Sequence, residues 1–251
     1  MAQSTHEAPL LEVRNIERRF GALVAVNDVS FTVPAGQVFG IAGPNGSGKS
    51  TLFNVMTGIP FGPSGGKVLL EGREIQHLRP HEISRAGIAR TFQKDAEFAT
   101  LSAFENAYAG AVYCAGLSGA QARDEAAKAL DDVGLGEERR DKAAGDLTVF
   151  ERKQLMIASA IAGRPRILLL DEPAAGLTRP EVSALAELIR TVNGRGVTVL
   201  LIEHVLPLLL SVSQHLMILN HGSVIASGKP AEVVRDPQVV EAYLGKREAA
   251  L

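Results

Sequence analysis

The chain has 251 residues, enough for one sizeable hydrophobic core or one domain carrying a subdomain. Its 26 basic and 28 acidic side chains leave a net charge of -2, a balance that offers no basic surface to a polyanion and argues against nucleic acid as a partner. The single cysteine, Cys114, excludes an intrachain disulfide framework and a cysteine-based zinc site, fits a reducing compartment, and reads as a small buried apolar residue.

Residues 1–9 are polar and lack the basic-then-apolar pattern of a signal peptide. Residues 11–33 alternate apolar and polar side chains about a turn near Gly21, which predicts antiparallel strands. Phe20, just before that turn, is either a core ring or a platform for a base. Residues 37–42 form a short apolar strand, and residues 51–57 have helical spacing. Between them Gly43, Pro44, Asn45, Gly46, Ser47, Gly48, Lys49, Ser50 and Thr51 fit G-x-x-x-x-G-K-[ST], the loop that cradles nucleotide phosphates. The glycines let successive N–H groups converge on one anion. Lys49 brings charge to the β- and γ-phosphates, Ser50 offers a hydroxyl to Mg²⁺, and the following helix adds its positive end.

A Gly/Pro-rich turn at 60–66 and a strand at 67–70 follow. A strand-like stretch at 87–89 leads into Arg90-Thr91-Phe92-Gln93, where the Gln93 amide oxygen can reach a metal and its water. Residues 102–133 and 150–162 read as helix, and 166–170 as a buried strand of the parallel type. That strand ends in Asp171, a carboxylate on a rigid support, as a Mg²⁺ site needs. Glu172 points elsewhere and can polarise an attacking water. A helix at 181–192 and a second buried strand at 197–202 precede Glu203-His204, where the histidine can reach the γ-phosphate or the water. A β-rich piece at 216–225 and two short helices complete the chain. The longest apolar runs, 167–170, 197–202 and 205–210, are too short to span a bilayer, so a soluble chain that docks on a membrane protein is expected. The alternation predicts an α/β fold: a P-loop core with a mostly parallel sheet, an N-terminal antiparallel β subdomain and an inserted α-helical subdomain. One domain, 1–251, is expected, with 1–93 and 147–251 as catalytic core and 94–146 as the insertion.

With these pieces in this order the chain resembles an ATP-binding-cassette transporter ATPase over nearly its whole length. The resemblance implies adenine stacking on Phe20, a glutamine loop at Gln93, a magnesium acid and a catalytic glutamate at Asp171 and Glu172, and a switch histidine at His204, with ATP and Mg²⁺ as cofactors. Arg19-Phe20-Gly21 with Ala25-Val26, Arg90-Thr91-Phe92-Gln93, Asp171-Glu172-Pro173-Ala174-Ala175-Gly176-Leu177 and the ending Val240-Glu241-Ala242-Tyr243-Leu244-Gly245 look most like the branched-chain (hydrophobic) amino-acid uptake branch. Such ATPases pair with a second, homologous cassette and two transmembrane permeases, are served by an extracytoplasmic solute-binding protein, and sit peripherally on the cytoplasmic face of the membrane.

The signature motif departs from that pattern. Leu-Ser-Gly-Gly-Gln aligns with Leu147, Thr148, Val149, Phe150 and Glu151, so only the leucine and a hydroxyl survive. Phe150 stands where a glycine allows close backbone approach, and Glu151 puts negative charge near a phosphate, with Arg152 and Lys153 restoring positive charge. Either this is a working variant, or the two sites of the dimer are unequal. The usual Ser-Ala-Leu-Asp loop also reads Ala175-Gly176-Leu177-Thr178. The alternative is a cassette ATPase acting on DNA or ribosomes; one P-loop, no sustained heptads and no basic excess weigh against it.

Overall fold

The computed structural model describes residues 8–93 and 97–244. In chain order the elements are β1 (Leu11–Phe20), β2 (Leu23–Val33), β3 (Val38–Ala42), α1 (Lys49–Thr57), β4 (Gly65–Leu70), β5 (Arg73–Glu74), α2 (Pro80–Arg85), β6 (Ile88–Arg90), α3 (Ala103–Tyr113), α4 (Gly119–Asp132), α5 (Glu137–Arg140), a 3-10 turn (Ala144–Asp146), α6 (Val149–Ala162), β7 (Ile167–Asp171), α7 (Arg179–Gly194), β8 (Thr198–Ile202), α8 (Leu206–Val212), β9 (His215–Asn220), β10 (Ser223–Gly228), α9 (Pro230–Val233) and α10 (Pro237–Leu244).

Two sheets organise them. The N-terminal sheet has the order β2-β1-β4-β5, with antiparallel pairing throughout. The central sheet has the order β10-β9-β3-β8-β7-β6. Its neighbours from β9 to β6 run parallel, and only β10 turns back, against β9.

Every residue of β3, β7 and β8 is buried, so both faces of the central sheet are covered and the continuous apolar runs follow. Alternate residues go to opposite cores, as the two-residue period of a strand requires. Phe39 and Ile41, Ile167 and Leu169, and Leu200 and Ile202 pack with α1 under the antiparallel sheet. Val38 and Ala42, Leu168 and Leu170, and Val199 and Leu201 face the helices α6, α7 and α8. Gly40 lies on that second face, and a Cβ there would stand 2.8 Å from Ser213 Oγ and 2.9 Å from Leu209 Cδ2, so those side chains would have to shift to admit one.

The stretch expected as one helical region, 102–133, is two helices, broken around Gly116, whose φ of 69° an L side chain rarely adopts. The two pack on α6, and their buried alanines belong to the same apolar cluster as the sheet's second face. The helical segment is thus welded to the core through α6. Contact between α3 and α6 is backbone to backbone: a Cβ on Gly110 would lie 2.0 Å from the Ser159 carbonyl oxygen. Cys114, expected to be buried, is half-buried at the end of α3. The strands and helices read from spacing recur within a few residues; α2, α5 and α8, too short for a full amphipathic period, and the two-residue β5 did not stand out.

Because the α3–α6 contact leaves no room for a methyl group, Gly110→Val is expected to lower unfolding free energy by about 1–3 kcal/mol, read from urea denaturation.

Candidate nucleotide site

The carboxyl ends of three adjacent strands, β3, β8 and β7, deliver the site. Beyond β3 the phosphate loop turns through Gly43, Gly46 and Gly48, with φ of 150°, 77° and 103°. At Gly43 a Cβ would fall 2.1 Å from the Leu219 carbonyl oxygen, and at Gly48 2.4 Å from that of Ala25, so both must be glycine for the loop to seat against β9 and β2. Nothing stands within 4 Å of a Cβ built on Gly46, which leaves the loop's outer rim open. Gly48 caps α1 without a side-chain hydrogen bond, so the first N–H groups of that helix remain available to an anion.

Lys49 is buried, and its Nζ donates to the carbonyls of Gly43 at 2.9 Å and Pro44 at 3.1 Å. Burial lowers its pKa, and the carboxylates of Glu172 and Asp171 oppose that shift. Ser50 is exposed on the first turn of α1. Ser47 is buried, and its Oγ has no hydrogen-bond partner among the described residues.

Asp171 ends β7, buried, with one oxygen fully engaged and one not. Its Oδ2 receives a hydrogen bond of 2.8 Å from Arg90 Nη2, while Oδ1 is buried without a partner among the described residues. Arg90 is equally enclosed. Its Nη1 reaches Asn54 Oδ1 at 2.8 Å and Thr57 Oγ1 at 3.3 Å, and its guanidinium lies against Phe53 and Phe92. Burial holds its pKa below the ordinary arginine range, against the pull of Asp171. This cation was not singled out as a site residue from sequence. An arginine at the end of an edge strand carries no signal until β6 and β7 are paired, Arg90 beside Leu169.

Glu172 takes φ of 49°, the left-handed region that non-glycine residues enter only when their surroundings hold them there. Its N–H donates to Ile202 O at 2.9 Å, tying it to β8. Its Oε2 accepts from Gln93 Nε2 at 2.6 Å and stands 3.8 Å from His204 Nδ1. His204 is about half exposed, at 53%.

Phe20 is 40% exposed, so it is not a core ring. Phe61 meets it edge-on at 5.0 Å, and the Arg18 guanidinium lies 4.6 Å from its ring centre. Phe20, the loop from Asn45 to Thr51, Gln93, Glu172 and His204 line one polar cleft of about 770 Å³. Asp171 and Gly43 are buried outside this lining, and half-buried Pro44 also lies outside it.

The signature region lines no part of this cleft. Thr148 caps α6: its Oγ1 accepts the Glu151 N–H at 3.2 Å, and Glu151 Oε2 accepts the Thr148 N–H at 2.8 Å. Arg139 Nε also donates to Glu151 Oε1 at 2.6 Å. The backbone hydrogen bond to Thr148, then Arg139, hold the Glu151 carboxyl below the usual carboxylate range. The charge that offsets Glu151 is therefore Arg139. Arg152 Nε lies 3.8 Å from Glu97 Oε1, and Lys153 is buried.

Removing one partner of a buried ion pair leaves the other charge uncompensated, so Arg90→Met is expected to cost about 3–5 kcal/mol of stability, measured by chemical denaturation.

The family model described as "ABC transporter" matches residues 26–175. A second, "Branched-chain amino acid ATP-binding cassette transporter", matches residues 223–249. The high-affinity branched-chain amino acid transport ATP-binding protein BraF of Pseudomonas aeruginosa is 41% identical, over 95% of this chain and 98% of its own. The corresponding LivG of Salmonella typhimurium is 37% identical, over the same 95% and 98%. A crystal structure of the ADP conformation of an ATP-binding cassette from an ABC transporter superposes with a TM-score of 0.86 at 32% identity, covering 96% of this chain and all of the other. The chain belongs to the ATP-binding cassette transporter family and is one of its nucleotide-binding ATPase subunits.

Proposed function

We propose that this chain is the ATP-hydrolysing motor of an importer for branched-chain amino acids or related small polar or amphiphilic solutes. One observation carries the catalytic part: a single cleft joins the open phosphate loop to Glu172, with Gln93 at 2.6 Å and His204 at 3.8 Å from the same carboxylate oxygen. The solute class rests on the similarity to BraF and LivG, both named as branched-chain amino acid transport proteins, and on the match at residues 223–249.

In this reading adenine stacks on Phe20, and the phosphates lie on the N–H groups of the loop and the first turn of α1. Lys49 leaves the carbonyls of Gly43 and Pro44 for the β- and γ-phosphates. Glu172 orients or deprotonates the attacking water, help typically worth ~10²–10⁴ in rate. His204 donates toward the γ-phosphate. The residues fit Mg²⁺: Asp171 has one buried oxygen without a partner among the described residues while Arg90 fixes the other, Ser50 is exposed, and Gln93 has its amide nitrogen on Glu172, which leaves the carbonyl oxygen to ligate. Ser50, Gln93 and Asp171 would hold the ion, which when bound neutralises charge on the phosphate oxygens.

The cleft is half a site. The other half comes from the signature face of a second cassette, and closing the pair around ATP drives the permeases. Here the Thr148 hydroxyl and the Glu151 carboxylate satisfy each other's backbone, and Arg139 occupies the remaining oxygen. A face so engaged offers little to a phosphate, which supports pairing with a homologous but different cassette whose signature is intact. Two transmembrane permeases complete the assembly, with an extracytoplasmic solute-binding protein acting indirectly. A groove of about 370 Å³ lies between α2, β6, α3 and α6, lined by Ile83, Phe92, Phe98, Tyr113 and Met156. Phe98 and Tyr113 are 61% and 72% exposed, and a permease segment docks against them. The family resemblance would place that docking on the helical insertion beyond Gln93, near residues 94–105, a stretch that falls partly outside the described residues. No helix among the described residues is long and apolar enough to cross a membrane, which agrees with attachment through the permeases at their cytoplasmic face.

Glu172→Gln is expected to bind ATP normally and to slow turnover about a hundredfold or more; full-rate hydrolysis by that variant in the assembled transporter would overturn the reading. The homodimer alone is expected to hydrolyse ATP more slowly than the pair formed with the partner cassette, and equal steady-state rates would remove the argument for unequal sites. Phe98→Ala with Tyr113→Ala is expected to weaken co-purification with the permeases by about tenfold while ATP binding is retained.

A further inference from the structure

Glu203 stands between the last residue of β8 and His204, and it is fully buried. Its two oxygens serve two different loops. Oε1 accepts the N–H of Ala174 at 2.7 Å, in the turn that follows Glu172. Oε2 accepts the N–H of His204 at 3.1 Å and of Val205 at 3.3 Å. One carboxylate therefore ties the loop beyond β7 to the loop beyond β8.

An ionisable group at zero exposure is a poor choice for filling space, since a well-packed apolar side chain would do so without desolvating a charge. Burial does push the Glu203 carboxyl above its ordinary range, and the backbone N–H groups of Ala174 and Val205 pull against that. What the carboxylate supplies is two acceptors at a fixed spacing on a short, enclosed stem. That spacing is used where position matters: Glu172 is held in the left-handed region, and His204 Nδ1 lies 3.8 Å from Glu172 Oε2 and 4.0 Å from Glu203 Oε2. Sub-ångström displacement of either loop makes or breaks the first of these approaches.

We propose that Glu203 is a positioning residue for ATP hydrolysis, a strut that fixes the Glu172 turn and the His204 loop relative to each other so that both address one γ-phosphate. The assignment rests on the roles given above to Glu172 and His204. Glu203 touches no reacting atom and acts only through those two.

The test uses Glu203→Gln and Glu203→Asp in the full chain assembled with its partner cassette and permeases. Glutamine keeps the shape but turns an N–H₂ group toward one set of N–H donors; aspartate keeps the charge on a shorter stem. The expected result is a fall in kcat of about tenfold to a hundredfold for the glutamine variant and a smaller fall for the aspartate variant. Affinity for a fluorescent ATP analogue should stay within about threefold of the unaltered protein, because a strut between catalytic groups is not a phosphate ligand. An unchanged kcat, or a fall matched by an equal loss of ATP affinity, would overturn the proposal. Should the glutamine variant not fold, amide hydrogen exchange on the unaltered chain decides: the Ala174 N–H, bound to Glu203, should be protected, and exchange at the rate of an open loop amide would overturn the strut. Failure of the underlying reading is separable, since it would show as hydrolysis persisting in Glu172→Gln whatever Glu203 does.

Discussion

Everything in the cleft depends on the hydrogen-bonded register of β3, β8 and β7. Gly40 lies beside Leu201, and Leu169 beside Leu200, so the carboxyl ends of the three strands finish at one edge of the sheet. Because both faces are buried, a one-residue slip in any strand would exchange two cores at once, and the register is held by the whole interior. On the roles proposed above, that rigidity lets three short loops bring the phosphate loop, Asp171 and Glu172 to one edge of the sheet. It also explains why side chains are excluded at Gly43 and Gly48, where neighbouring backbone passes too close for a Cβ.

A second constraint is the number of charges placed where water is scarce. Lys49, Asp171, Arg90 and Glu203 are all enclosed, and each is satisfied differently. Lys49 rests on loop carbonyls, Asp171 and Arg90 on each other, Glu203 on backbone N–H groups. Two of the buried polar atoms without a partner among the described residues, Asp171 Oδ1 and Ser47 Oγ, lie where a metal–nucleotide complex is expected. The signature face shows the reverse. There the Thr148 hydroxyl and the Glu151 carboxylate are engaged with each other's backbone N–H groups, and Arg139 takes the other Glu151 oxygen.

The groove between the core and the helical segment connects these parts. Phe92, on its wall, also packs over the Arg90 guanidinium, and Arg90 holds Asp171. Gln93, the next residue, reaches Glu172. A partner seated in the groove would be two side chains from Asp171 and two from Glu172. If the proposed docking and site roles hold, that short route would link events at the permease to events at the nucleotide.

By itself the sequence determined the fold class, most of the strands and helices, and the loop from Gly43 to Thr51, because strand periods, continuous apolar runs and a glycine-lysine pattern are local signals. It also marked Asp171, Glu172, Gln93 and His204, each at an element's end. It placed the break at Gly116 inside a single helical region, since alanine-rich periodicity continues on both sides of it. It gave Arg90 no site role, Glu203 no role at all, and looked to Arg152 and Lys153 rather than Arg139 for the charge opposite Glu151. Those assignments join residues 81, 29 and 12 positions apart, and no local pattern encodes them. Only the tertiary structure decided which buried charge answers which, because that depends on the strands and loops that the core brings side by side.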